Sequence, residues 1–220
     1  MSTDILIQEG IYVMAIERFE DLGAMEIDVL TEVGNIGAGN AMTALSSMIG
    51  QMVDIEVPAV KILGFQEAID YSGGPEKTVA GILVPITGEI EGEILFLLEE
   101  DLVELVVSTF FGVTGINLLN LTPDMMSALT ELGNIMAASY INAIAGLTGM
   151  TMQVEIPMLS VDMLGAIMSV PAVEMGEMSD KLLYIDNLMI IDKVSVKSKM
   201  MLLPKVESLD KLLRRLGVIS

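Results

Sequence analysis

Apolar and polar positions along this chain follow two periods, one helical and one extended. From Met25 to Gly50 the period is helical: Leu30, Val33, Ala41, Ala44, Leu45 and Met48 gather on one side. Asp28, Glu32 and Asn35, at steps of four and three, fall within about 60° of one another on the other side. The same polar face then runs on to Gly39, where side-chain bulk is removed. The pattern returns 99 residues later: Ser127, Glu131 and Asn134 repeat the spacing, Ala138 stands where Gly39 stood, and Leu129, Leu132, Met136, Ala143 and Ile144 lie behind. Two long amphipathic helices are predicted, each with a narrow polar stripe.

Between and after them the period shortens to two. Gln51–Val60 alternates before Pro58 as a strand ending at an edge or bend would, and Gln153–Leu159, with Pro157, is its counterpart. A turn at Tyr71–Lys77 leads into Thr78–Ile86 and Glu89–Leu98, an expected antiparallel pair across Thr87-Gly88. Glu100 or Asp101 can cap a helix to Phe111, which Gly112 stops. Lys181–Ile191 and Lys193–Leu203 predict a second strand pair, and Ser208 the cap of a short final helix ending before Gly217. Each half thus reads helix, strand, two strands, helix.

The expected fold is α+β: one pseudo-twofold duplicated domain with a mostly antiparallel sheet of about six strands flanked by helices. Residues 1–23 have no counterpart and form an N-terminal extension. Residues 24–217 form the domain, with repeats 24–113 and 123–217 and Thr114–Pro123 as a joint too short for a flexible linker.

Composition narrows the chemistry. The 220 residues contain no cysteine and no histidine, which excludes disulfides, thiolate or imidazole metal ligation, and any catalytic triad with a His base. Carboxylates, amides, hydroxyls and backbone groups remain. Net charge is -20, and residues 1–180 hold only 3 of the 11 basic residues against 27 of the 31 acidic ones. Nucleic acid is therefore excluded as a partner, because its affinity comes largely from neutralised phosphates. Val33–Val53 and Leu132–Val154 carry no charge, yet their Gly content and polar stripes, with Asn35 and Asn134, argue against membrane insertion. Asp4 and Glu9, with no basic segment before the first apolar residues, predict no secretory signal and a cytoplasmic location. The sequence Gly34–Gly39 has the glycine order G-x-x-G-x-G inside a helical pattern, which is not a dinucleotide loop.

Both halves fit one pattern: Asp or Ser, three residues, Glu, two residues, Asn, twenty-two residues, Pro. It reads Asp28, Glu32, Asn35, Pro58 and then Ser127, Glu131, Asn134, Pro157. On these residues the chain resembles the CheC/CheX/FliY family of chemotaxis phosphatases over about residues 24–217, and GNIGAGNAMTALS is most similar to its CheC branch. Two sites in one chain set it apart from the one-site, dimerising CheX branch, and the lack of a further C-terminal module from the FliY branch. The resemblance implies dephosphorylation of a CheY-type response regulator whose aspartyl phosphate and Mg²⁺ both sit on the partner, with no cofactor or metal on this chain. It implies catalytic roles for Glu32, Asn35, Glu131 and Asn134. Asn35 and Asn134 would orient water, and the two glutamates would pair with a receiver lysine. Asp28, Gly39, Ser127 and Ala138 would contact the partner, and Pro58 and Pro157 would be structural. A monomer is expected, with the CheD receptor deamidase as a further partner. The reading from another class is a non-enzymatic adaptor or switch-complex protein that keeps the duplicated fold.

Overall fold

The computed structural model describes residues 22–175 and 181–218. The extension expected at the N-terminus lies almost wholly outside the described residues. Two helices of equal length set the frame, α1 (Ala24–Ile49) and α4 (Pro123–Thr148), 26 residues each and offset by 99 at both ends. Different chemistry starts them. The Gly23 N–H donates to the Glu26 carboxylate at 2.9 Å ahead of α1, whereas the Thr122 hydroxyl accepts from the Met125 N–H and Pro123 opens α4. Both stop alike: Gly50 (φ 72°) and Gly149 (φ 69°) take the left-handed conformation, returning their N–H to Ser46 and Ala145.

After α1 come β1 (Val53–Gly64), α2 (Phe65–Tyr71), β2 (Thr78–Gly88), β3 (Gly92–Leu98) and α3 (Glu100–Phe111). After α4 come β4 (Met152–Val154), β5 (Met158–Met163), α5 (Leu164–Met175), β6 (Lys181–Ile191), β7 (Val194–Pro204) and α6 (Val206–Arg215). A single 3-10 turn, Leu118–Asn120, lies in the joint.

Among the described residues, seven strands form one antiparallel sheet in the order β1-β6-β7-β3-β2, with β4 and β5 both on the outer edge of β2. The halves interleave. β1 pairs with β6 from Val53↔Ile191 to Gly64↔Lys181, while β5 pairs with β2 from Leu83↔Met158 to Thr78↔Met163.

The sheet is antiparallel and helix-flanked, as expected, and has a seventh strand because the second-half counterpart of β1 is split. The strand expected to end at Pro58 does not end there. It continues to Gly64, with its pairing register shifting between Glu56 and Ala59. Residues 155–157 interrupt the opposite edge at the equivalent place, dividing β4 from β5. Proline lacks the N–H a ladder needs, and an edge strand has one side on which that loss costs nothing. In the first half the disturbance is absorbed as a bulge; in the second it breaks the strand.

Three further points correct the sequence reading. The helices α2 and α5 were not expected. Glu99, not Glu100 or Asp101, occupies the N-cap of α3, without a side-chain cap bond. Lys205 is the N-cap of α6, and the Ser208 hydroxyl instead accepts the Glu91 N–H at 2.9 Å, joining the last helix to the β2–β3 turn.

Strand parity divides the core. Ala80, Ile82, Val84, Ile94, Phe96 and Ile185 meet α1, α3, α4 and α6 on one face. Val79, Leu83, Leu95, Leu97, Leu182 and Met201 meet α2 and α5 on the other. Covering both faces is why β2 and β3 read as nearly continuous apolar runs. Side chains such as Leu45, Leu129 and Leu132 are fully enclosed, each stabilising by roughly 1.5–3 kcal/mol. That burial fixes which side of α1 and α4 faces outward.

Candidate functional site

The two polar stripes lie on the solvent side of α1 and α4. Leu30, Val33, Ala41 and Leu45 of α1, and Leu129, Leu132, Met136 and Ile144 of α4, are buried against the sheet and each other. Asp28, Glu32, Asn35, Ser127 and Glu131 are exposed, while Asn134, Gly39 and Ala138 are half-buried. Each triplet stays on its own helix, so the structure presents two separate faces. Within each, glutamate and asparagine lie about 4.5 Å apart along the axis, and the stripe from Asp28 to Gly39 spans about 16 Å. Among the described residues, none of the six polar side chains of the triplets has a side-chain hydrogen bond or ion pair. An asparagine so placed can accept from one water hydrogen while its NH₂ donates elsewhere.

What holds the faces in place lies behind them. Tyr140 of α4 packs against Gly37 of α1, so closely that a Cβ on Gly37 would sit 2.6 Å from its ring. The Tyr140 hydroxyl donates to the Asn187 side-chain oxygen on β6 at 3.2 Å, and burial pushes its pKa up, so it remains a neutral donor. One side chain thus ties α1, α4 and the sheet together. Beside each glutamate a threonine turns back on its helix: Thr31 donates to the Ile27 carbonyl and Thr130 to the Met126 carbonyl, both at 2.8 Å. The Val53 N–H donates to the Ser46 hydroxyl at 3.0 Å, anchoring the start of β1 under the end of α1. β1 then runs back along the helix. Val60, two residues beyond Pro58, lines a small apolar cavity with Leu30, Val33, Gly34 and Tyr140, which puts the bulge level with the Asn35 turn.

Gly37 and Gly39 differ sharply in what surrounds them. A Cβ on Gly39 would meet nothing within 4 Å. Packing within this chain requires the first glycine and is indifferent to the second.

This fold, an antiparallel sheet flanked by helices, is met in known proteins. The model of the CheC-like family matches residues 25–62 and 125–160, the α1–β1 unit and the α4–β4–β5 unit. The chain is 34% identical over 204 residues to the CheY-P phosphatase CheC of Bacillus subtilis, covering 90% of this chain and 97% of that protein. Among solved structures, Thermotoga maritima FliY superposes with a TM-score of 0.73 at 21% identity, over 90% of this chain and 98% of that one. The H. pylori FliM middle domain does so at 0.65 and 10% identity, over 88% and 99%. These two share the fold. The chain belongs to the CheC-like family. Among the described residues, no helix is long and apolar enough to cross a membrane.

Proposed function

We propose that this chain is a phosphatase that hydrolyses the aspartyl phosphate of a CheY-type receiver domain, using the outer faces of α1 and α4 as two sites. The observation that carries this reading is the pairing, on each helix, of a solvent-facing glutamate and asparagine three residues apart with no partner among the described residues. The similarity to a protein named as a CheY-P phosphatase supports the substrate class.

An acyl phosphate is already activated, so the enzyme need supply neither nucleophile nor metal. It must hold water in line with the bond that breaks. Asn35 or Asn134 accepts a hydrogen bond from that water and directs its oxygen at phosphorus. As the new P–O bond forms, the bond to the aspartyl oxygen breaks, its electron pair stays on the receiver carboxylate, and inorganic phosphate leaves. Glu32 or Glu131, one turn back, pairs with a receiver lysine and fixes the helix over the phosphoryl group. Asp28, Ser127, Gly39 and Ala138 border the contact. The Mg²⁺ belongs to the receiver in this scheme, and binding of a CheD-type deamidase would be an additional role.

Replacing both asparagines, Asn35→Ala with Asn134→Ala, tests the mechanism. Decay of a phosphorylated CheY-type receiver should fall to its unassisted rate while circular dichroism stays unchanged, because neither side chain belongs to the core. Full activity in the folded double variant would remove the asparagines from the mechanism. The fold likeness to the FliM middle domain favours a second reading, a non-enzymatic adaptor, for which wild-type protein would bind the receiver without accelerating its decay.

A further inference from the structure

The opposite face of the sheet carries a feature the proposed activity does not use. Beyond the edge of α2, where apolar cover ends, the sheet opens into a polar cleft of about 510 Å³ lined by residues that include Tyr71, Lys77, Glu99, Asp186, Lys197 and Lys199. Lys197 and Lys199 alternate with buried residues along β7 and share the parity of Met201 and Leu203, so they point to the α2 and α5 side.

The charges there do not balance. Glu99 is held by two ammonium groups at once, Lys77 at 2.6 Å and Lys199. Asp186 pairs with Lys61 at 3.5 Å and accepts from the Tyr71 hydroxyl at 3.3 Å, and Lys61 also donates to Tyr71. Lys197 has no side-chain partner among the described residues. Counting Asp101, whose charge also acts on Lys77, four lysines face three carboxylates, in a chain with 11 basic residues and a net charge of -20. Lys199 is the most enclosed, its side chain only 10% exposed. Burial, and then repulsion from Lys77, hold its pKa down to about 8, even with Glu99 between the two lysines. Replacing the buried charged cluster as a whole by apolar side chains of similar volume would serve stability at least as well.

We propose that this cleft binds a small phosphorylated molecule, with its phosphoryl group seated among Lys77, Lys197 and Lys199. Lysine ammonium groups are mobile point charges suited to a tetrahedral dianion, whereas planar carboxylates are read by the arginine fork, and no arginine lines the cleft. Its volume lies in the range of small-ligand sites, leaving room beyond the phosphate for the rest of the molecule beside the exposed Tyr71 ring. The excess positive charge is what the anion neutralises.

Calorimetric titration of the full chain at constant ionic strength with pyrophosphate, inorganic phosphate and citrate tests the site. One saturable site is expected for pyrophosphate, weaker binding for phosphate, and weaker still for citrate. Lys197→Ala changes an exposed side chain that leaves the core intact, and it should weaken pyrophosphate binding at least fivefold. Lys199→Met should weaken it at least tenfold. No saturable binding of either phosphate probe, an affinity unchanged in Lys197→Ala, or citrate binding as tightly as pyrophosphate would overturn the assignment. Receiver dephosphorylation by Lys197→Ala should match wild type, which separates this cleft from the faces of α1 and α4.

Discussion

Helices α1 and α4 begin and end at matching positions and keep Glu and Asn in the same register, yet their surroundings have diverged. Asp28 faces Ser127 in the comparison, Gly39 faces Ala138, and exposed Asn35 faces half-buried Asn134. The strand under α1 is continuous through a bulge, while the one under α4 is broken. Helix α2 has 7 residues and α5 has 12. Backbone frame and Glu/Asn pair are held constant, whereas local charge and close-approach space vary. In the proposed mechanism the first pair of features would position water, and the second would tune how a charged partner meets each face.

The largest effect should come from disabling one face at a time. In the proposed complex Asp28 would bring a second negative charge toward the phosphoryl group and the acidic residues that hold its metal, a repulsion on the order of 1 kcal/mol at an effective dielectric of about 20. That corresponds to about fivefold in rate. Glu131→Ala/Asn134→Ala should therefore cost more receiver dephosphorylation than Glu32→Ala/Asn35→Ala, and the gap should narrow as salt is added. A larger, salt-independent loss from the first pair would show that charge at position 28 does not rank the faces.

A smaller effect separates two glycines of α1. Gly37→Ala drives a methyl into the Tyr140 ring at 2.6 Å and should lower stability by about 1–3 kcal/mol. Gly39→Ala enters open space and should raise it by about 0.5–1 kcal/mol through helix propensity. If Gly39 admits the partner, Gly39→Ala should still slow the first face, measured in the Glu131→Ala/Asn134→Ala background. Unchanged turnover there would make Gly39 incidental.

The smallest effect concerns the longer helix of the second half. Glu174, in the part of α5 that α2 lacks, meets Glu93 of β3. Burial, then the hydrogen bond and charge of Glu174, push Glu93 up to about 7. A raised carboxyl holds its proton longer in the folded state than in the unfolded one. Its contribution is therefore complete below the ordinary carboxylate range and is lost as pH rises through about 7. Between pH 5 and 8 the wild-type Tm should fall by ~2–4 °C more than that of Glu93→Gln. Parallel pH slopes in the two proteins would mean the pair does not hold α5 to the sheet.

The stripes were legible because a 3.6-residue period sorts Leu30 and Val33 from Glu32 and Asn35 with no knowledge of neighbours. The continuation of β1 was not, since Pro58 signals a stop unless the strand is known to lie on an edge. Helix α2 is too short for a period to emerge, and α5 is so apolar on both sides, with Pro171 inside, that its sequence does not mark the face it buries. The Ser208 hydroxyl looked like a cap because its partner, Glu91, is 117 residues away. Glu99 and Lys199, 100 residues apart, meet only once β3 and β7 are neighbours. Local pattern fixes which side of an element is buried; it says nothing about which strand lies beside it.

The interleaving of the sheet has a consequence for how the two faces can change over time. Each half supplies the outer strand that the other half's hairpin needs, through β1 on β6 and β4 with β5 on β2. Two identical copies of such a half could close the same sheet as a twofold dimer, but every substitution would then appear on both faces at once. A single chain lifts that restriction. Asp28 and Ser127 can differ, and one face can drift toward a new partner while the other preserves the original task.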